Sequence, residues 1–165
     1  MAGASPRWFA PPQPGDIVWC RFPEGRLPGP GPKPRPALVL QVGEAGGRPV
    51  VALAYGTSRK LERLYPGEFA IAPSDGDAFD ASGLSYATKF NLGRTFELDY
   101  NDTWFDVAPS APHGQTPKLG LLHPSLVKRA RAAFNAARTV LSSSEIAFLR
   151  QDKRTTIEKA RASKR

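Results

Sequence analysis

The sequence predicts a mainly β fold: a small β-barrel followed by C-terminal α-helices. Three observations predict it. Seventeen prolines and fifteen glycines in 165 residues require many turns and short elements. Apolar residues alternate in short runs up to about residue 107. Apolar spacing of three and four begins only after Pro124. At 41% hydrophobic residues the chain has enough apolar surface for one core.

Residues 1–13 are small and proline-rich and are expected to form a flexible N-terminal segment. A barrel domain is expected over 14–123 and a basic helical extension over 124–165. Residues 16–22 read as the first strand, with Val18, Cys20 and Phe22 on one face and Ile17 and Trp19 on the other. Both faces are apolar, so the strand should be packed on both sides. Residues 23–34 are a Pro/Gly-rich loop, fit either to close over a ligand or to be a plain connection.

Residues 35–42 are a second strand, nearly all apolar, and Gly46-Gly47 marks a hairpin turn into a third strand over 49–55. Gly56 ends that strand, and Thr57-Ser58-Arg59-Lys60 form a polar, basic exit. After a loop over 61–67, Glu68–Ile71 read as a short strand. Asp75, Asp77 and Asp80 resemble part of a calcium loop, but the terminal bidentate Glu is absent, so no metal is expected. Residues 84–92 and 94–100 read as strands, Trp104-Phe105 as a cap on the core, and 107–119 as loop.

Pro124 can start a helix with an apolar stripe of Leu126, Val127, Ala130, Ala133, Phe134, Ala137, Val140 and Leu141. Ser142 with Glu145 is a capping-box pattern for a second helix. Charge is partitioned as sharply as structure. Residues 1–123 carry 12 Lys/Arg against 12 Asp/Glu, whereas 124–165 carry 11 against 3. The formal charge of +8 therefore sits wholly on the extension, which reads either as a solvated helical face or as an attractor of polyanions.

The single cysteine, Cys20, excludes an internal disulfide and reads as a buried thiol. His113 and His123 have no ligand spacing and read as structural or solvent-facing. The amino terminus lacks the layout of a signal peptide, and no apolar run approaches the roughly 18 residues of a membrane span. A cytoplasmic location and no membrane partner are expected.

One ordered set of motifs is more specific than all of this. Gly15-Asp16-Ile17-Val18-Trp19 is followed by Arg35-Pro36-Ala37-Leu38-Val39-Leu40, then by Thr57-Ser58. In that order the motifs resemble the PemK/MazF family of toxins from bacterial toxin–antitoxin modules. The match is good over 14–60, weaker to about 107 and absent after 124. It implies an SH3-like barrel, often dimeric, that cuts single-stranded RNA without a metal or other cofactor and is neutralised by an antitoxin protein. Arg35 matches the family's catalytic arginine, and Thr57, with Ser58 beside it, matches its catalytic hydroxyl. This chain departs from the family in the charged Arg59-Lys60 after the hydroxyl pair and in the basic extension.

The residues suit such chemistry. A guanidinium meets two phosphate oxygens with fixed geometry and permanent charge, so Arg35 would stabilise a pentacovalent transition state rather than act as a base. Thr57 would donate to the same phosphate. Arg59, Lys60, Lys33 and Arg26 are candidates for neighbouring phosphates. Trp19, Tyr86 and Trp104 are among the aromatics that could stack on bases. The alternatives are an ion pair of Arg35 with a carboxylate such as Asp16, and turn chemistry for Thr57-Ser58. A second function class follows from them: a non-catalytic barrel that binds nucleic acid or protein.

Overall fold

A computed structural model describes residues 8–24, 28–109 and 116–138. Six strands form one antiparallel sheet: β1 (Asp16–Cys20), β2 (Arg35–Ala45), β3 (Arg48–Thr57), β4 (Glu68–Ile71), β5 (Thr88–Asp99) and β6 (Lys118–Leu121). Their order across the sheet is β4-β5-β3-β2-β1-β6. The expected barrel is not closed. β4 and β6 are edges, and no ladder joins them among the described residues. Each edge is short and is covered instead of paired, which is one way to protect it. β6 lies against α1 (Asp77–Ser82), where Gly120 closely approaches the backbone of Ser82. β4 lies beside a helix over residues 127–138, here called α2, whose Arg129 donates to the Ala70 carbonyl.

The hairpin between β2 and β3 turns at Gly46 (φ +59°) and Gly47 (φ +76°), both left-handed, as a tight primed turn requires. β3 then runs unbroken through the sheet while both neighbours bulge around it. β2 carries one extra residue, Leu40, and β5 carries Leu92, Gly93 and Arg94. An odd insertion moves the following side chains to the opposite face. Leu38 and Leu40 accordingly pack on one face and Val42 on the other. In β5, Phe90 and Leu92 pack on the first face, Phe96 and Leu98 on the second. The sheet thus has two apolar layers. One gathers Ile17, Leu38, Phe69, Phe90 and Leu119 beneath α1 and α2; the other gathers Val18, Cys20, Val51, Leu53 and Phe105. β1 contributes to both, as its two apolar faces predicted.

The sequence readings that differ are local. In place of the two strands expected over 84–92 and 94–100 there is one, β5, beginning only at Thr88, because the bulge bends the ladder without ending it. The segment with the calcium-like spacing is a 3₁₀ turn, Pro73–Asp75, leading into α1, and part of the expected loop 107–119 is β6. Trp8 and Phe9 pack against the second layer, Trp8 sitting edge-on to Phe9 at 4.7 Å and to Tyr100 at 6.3 Å. In α2 the buried side chains are Ala130, Ala133 and Ala137, while Val127 and Phe134 are 41% and 45% exposed. The helix sits low on the sheet because its buried face is alanine. A Cβ on left-handed Gly67 would lie only 3.0 Å from the Ala137 methyl, and Ala137 also lies over Gly93. Its larger apolar residues are rotated outward. Val140, Leu141 and the capping box at Ser142 lie outside the described residues.

Candidate active site

At one end of the sheet the start of β2 and the end of β3 form one side of a cleft of about 310 Å³. Gly56 makes this possible. A Cβ there would lie 2.6 Å from the Pro36 carbonyl oxygen and 2.8 Å from the Phe90 ring. Only glycine lets the two strand ends approach so closely. Arg35, Thr57 and Ser58 therefore line the same cleft, with Trp19 of β1 beside them. The opposite wall is Gly83–Tyr86, the turn leaving α1, with Ala108, Pro109 and Leu119. Gly83 is left-handed (φ +68°) and lies against the Leu119 backbone, where a Cβ would collide. That contact joins the turn to β6.

Arg35 opens β2 opposite Cys20, with prolines on both sides, so its backbone is stiff. Its side chain is 28% exposed. The carboxylate near it is that of Glu24, 3.8 Å from Nε, and not Asp16 as the sequence suggested. At that distance the pair is electrostatic without a hydrogen bond, and Nε is buried with no hydrogen-bond partner among the described residues. Asp16 is engaged elsewhere: it accepts from the Gln13 amide at 2.9 Å and pairs with Lys118 at 3.3 Å. Gly31 donates to the Phe22 carbonyl and lies against the Glu24 side chain, which fixes how the carboxylate is presented.

Thr57 ends β3 opposite Lys89. Its Oγ1 accepts from the Arg59 amide at 3.2 Å, so the turn chemistry foreseen is present. That bond uses a lone pair and leaves the hydroxyl proton free to donate. Ser58, Arg59 and Lys60 are exposed, and Lys60 is left-handed (φ +54°), unusual for a residue with a side chain. The loop that follows is tied back. Buried Lys89 donates from Nζ to the Arg63 carbonyl at 3.0 Å and to Glu68 at 3.1 Å. The strand partner of Thr57 therefore also holds the far end of the loop that Thr57 begins.

Of the expected RNA-binding residues, Trp19 lines the cleft, whereas Lys33, Arg59 and Lys60 are exposed outside its lining. Arg26 lies outside the described residues, as does His113. Tyr86, 74% exposed at the cleft wall, is an aromatic poised to meet a ligand. Ser85, Ala108 and Pro109 were missed, because nothing in their local pattern signals that α1 and β6 bring them to Arg35. Burial pushes the Cys20 thiol well up, which suits a packing residue and not a nucleophile. His123 caps the 3₁₀ turn Pro124–Leu126 by accepting from the Ser125 amide at 3.2 Å. Asp75, part of the calcium-like spacing, is taken by Arg129 in a two-bond pair at 3.0 Å. No described helix is long and apolar enough to cross a membrane.

Comparison with known proteins bears on the same region. Among solved structures, one described as an endoribonuclease in complex with its cognate antitoxin from mycobacterial species aligns at 18% identity with a TM-score of 0.49. The alignment covers 78% of this chain and 96% of that one. Comparison with curated proteins gives no match. Residues 13–99, from the entry to β1 to the end of β5, match the PemK-like, MazF-like toxin of type II toxin–antitoxin systems. That span includes Arg35 and Thr57 and more than half of the chain, so the protein belongs to the PemK-like, MazF-like toxin family.

Proposed function

We propose that the protein is an endoribonuclease toxin that cuts single-stranded RNA at the Arg35–Thr57 cleft without a metal. The observation that carries this reading is the arrangement of the cleft: a stiffly mounted, under-partnered arginine and a hydroxyl with a free proton, in a chain of this family. The ribose 2′-oxygen attacks the adjacent phosphorus, and the bond from phosphorus to the 5′-oxygen breaks. The 2′ proton leaves, and the departing 5′-oxygen gains one. The products are a 2′,3′-cyclic phosphate and a 5′-hydroxyl. Arg35 meets the charge that builds on the phosphoryl oxygens, displacing its loose contact with Glu24. Thr57, seconded by Ser58, donates to the same group. Trp19 packs against the substrate, and Arg59, Lys60, Lys33 and Arg26 hold flanking phosphates.

In this reading residues 14–123 are the catalytic unit, with an SH3-like barrel ancestry opened at its edges, and 124–165 a separate basic extension. The protein acts in the cytoplasm as a homodimer and is silenced by an antitoxin whose acidic segment covers the cleft. The test is incubation of mixed-sequence single-stranded RNA in chelator with wild type, Arg35→Ala and Thr57→Ala. Cleavage to cyclic-phosphate ends by wild type, lost in Arg35→Ala and reduced in Thr57→Ala, supports the reading. Equal cleavage by wild type and Arg35→Ala overturns the site.

The Glu24 contact favours a second reading, a non-catalytic binding module in which that carboxylate only neutralises Arg35. A folded wild type that binds the RNA in the absence of antitoxin but leaves it intact would establish that module.

A further inference from the structure

The two flanks of α2 have different fates. Arg129 on one flank is consumed by Asp75 and the Ala70 carbonyl. On the other, Val127, Arg131, Phe134 and Arg138 follow one another at steps of four, three and four, which lays them along a single stripe. Every member of that stripe is exposed. Phe134 is 45% exposed, and the Arg138 guanidinium lies over its ring, 5.8 Å from the centroid. Among the described residues neither Arg131 nor the adjacent Lys128 has an acidic partner. Residues 127–138 contain four basic residues and no acidic one, within the extension that carries the whole excess charge.

We propose that this stripe is a second, sequence-tolerant binding surface for single-stranded nucleic acid, distinct from the cleft. The chemistry on the stripe selects the occupant. A ring and guanidinium planes stack on unpaired bases, and the arginines at 131 and 138, about 10 Å apart along the helix axis, pair with backbone phosphates between which a base can splay. A second copy of the chain is disfavoured, because a two-fold interface on this stripe would bring like charges together. The surface lies outside residues 13–99, so it is a property of this chain beyond the family match.

The test uses the full chain and a fluorescent 12-mer oligodeoxythymidine, which lacks the 2′-hydroxyl and so reports binding independently of cleavage. Phe134→Ser should weaken binding about tenfold, within the range for loss of one stacked base, and Phe134→Trp should restore it. Arg131→Ala/Arg138→Ala should lower the slope of log affinity against log salt by about 1.4, from two phosphate contacts. Arg35→Ala should leave both of these differences in place, which separates failure of this surface from failure of the cleft. Unchanged affinity and slope in these variants, with unchanged melting temperature, would overturn the proposal. So would an equal loss of binding to polyglutamate, which would assign the stripe to an acidic protein. Conversion of a dimer to a monomer by Phe134→Ser would assign it to a second copy and overturn it as well.

Discussion

Two arginines, one in the cleft and one at a helix–strand seam, show how differently the same side chain can be used. At the seam between α2 and β4, Arg129 makes three hydrogen bonds at 3.0 Å, two to Asp75 and one to the Ala70 carbonyl. In the cleft, Arg35 has one carboxylate at 3.8 Å and a buried Nε without a partner. Arg129 is more exposed, 45% against 28%, yet better satisfied. A guanidinium that the fold has already saturated has nothing left to offer a ligand. One held by prolines, partly desolvated and loosely paired, retains donors for an incoming phosphate at small cost.

The largest effect that would break this contrast is catalytic. Arg35→Ala should lower the rate of RNA cleavage by about 10³-fold or more while shifting the melting temperature little, and Arg35→Lys should not restore it, because a point charge cannot span two oxygens. Single-turnover rates beside thermal melts test this; a large drop in melting temperature would make Arg35 a structural residue like Arg129.

The reverse pattern is expected at the seam. Arg129→Ala should lower stability by about 1–2 kcal/mol, a magnitude limited by the exposure of the pair, with cleavage per folded molecule unchanged. Urea midpoints at constant m-value measure it. A smaller effect sharpens the same point through pH. The Arg129 side chain, with the Ala72 amide, holds the Asp75 carboxyl below its usual range. A depressed carboxyl stabilises the fold fully above its unfolded value of about 3.9 and loses that contribution as pH falls through the folded value. The gap in melting temperature between wild type and Asp75→Asn should therefore be constant at neutral pH and shrink below about pH 4. The smallest effect is at Glu24. Glu24→Gln should tighten binding of an uncleavable oligonucleotide by about two- to fivefold, by removing the carboxylate that competes for Arg35; weaker binding would mean that Glu24 orients the arginine.

The contrast also explains what the sequence revealed. Arg35, Thr57 and the strands that bear them were legible because proline, glycine and β-branched residues mark a strand start, its exit and the turn between. The open edges, α1 and β6 were not. They depend on close backbone approaches at Gly83 and Gly120, which have no local periodicity. The wrong partner for Arg35 has the same origin. Asp16 stands inside the Gly15–Trp19 motif, but Lys118, about a hundred residues away, claims it. In α2 the apolar spacing identified the helix, while its rotation buries three alanines, of which Ala137 faces Gly67 and Gly93, a fit that only the folded sheet defines.

β1 is an inner strand whose two neighbours are far apart in the chain: β2 begins at Arg35, and β6 ends at Leu121. During synthesis at about 5–20 residues per second, the second neighbour arrives roughly 5–20 s after β1 itself. Until then the nascent chain carries Arg35 and Thr57 but lacks Leu119 and the wall it supports. A growing chain of this protein therefore completes its cleft only after β1 to β5 have been made, so the order of translation itself delays the appearance of a complete site.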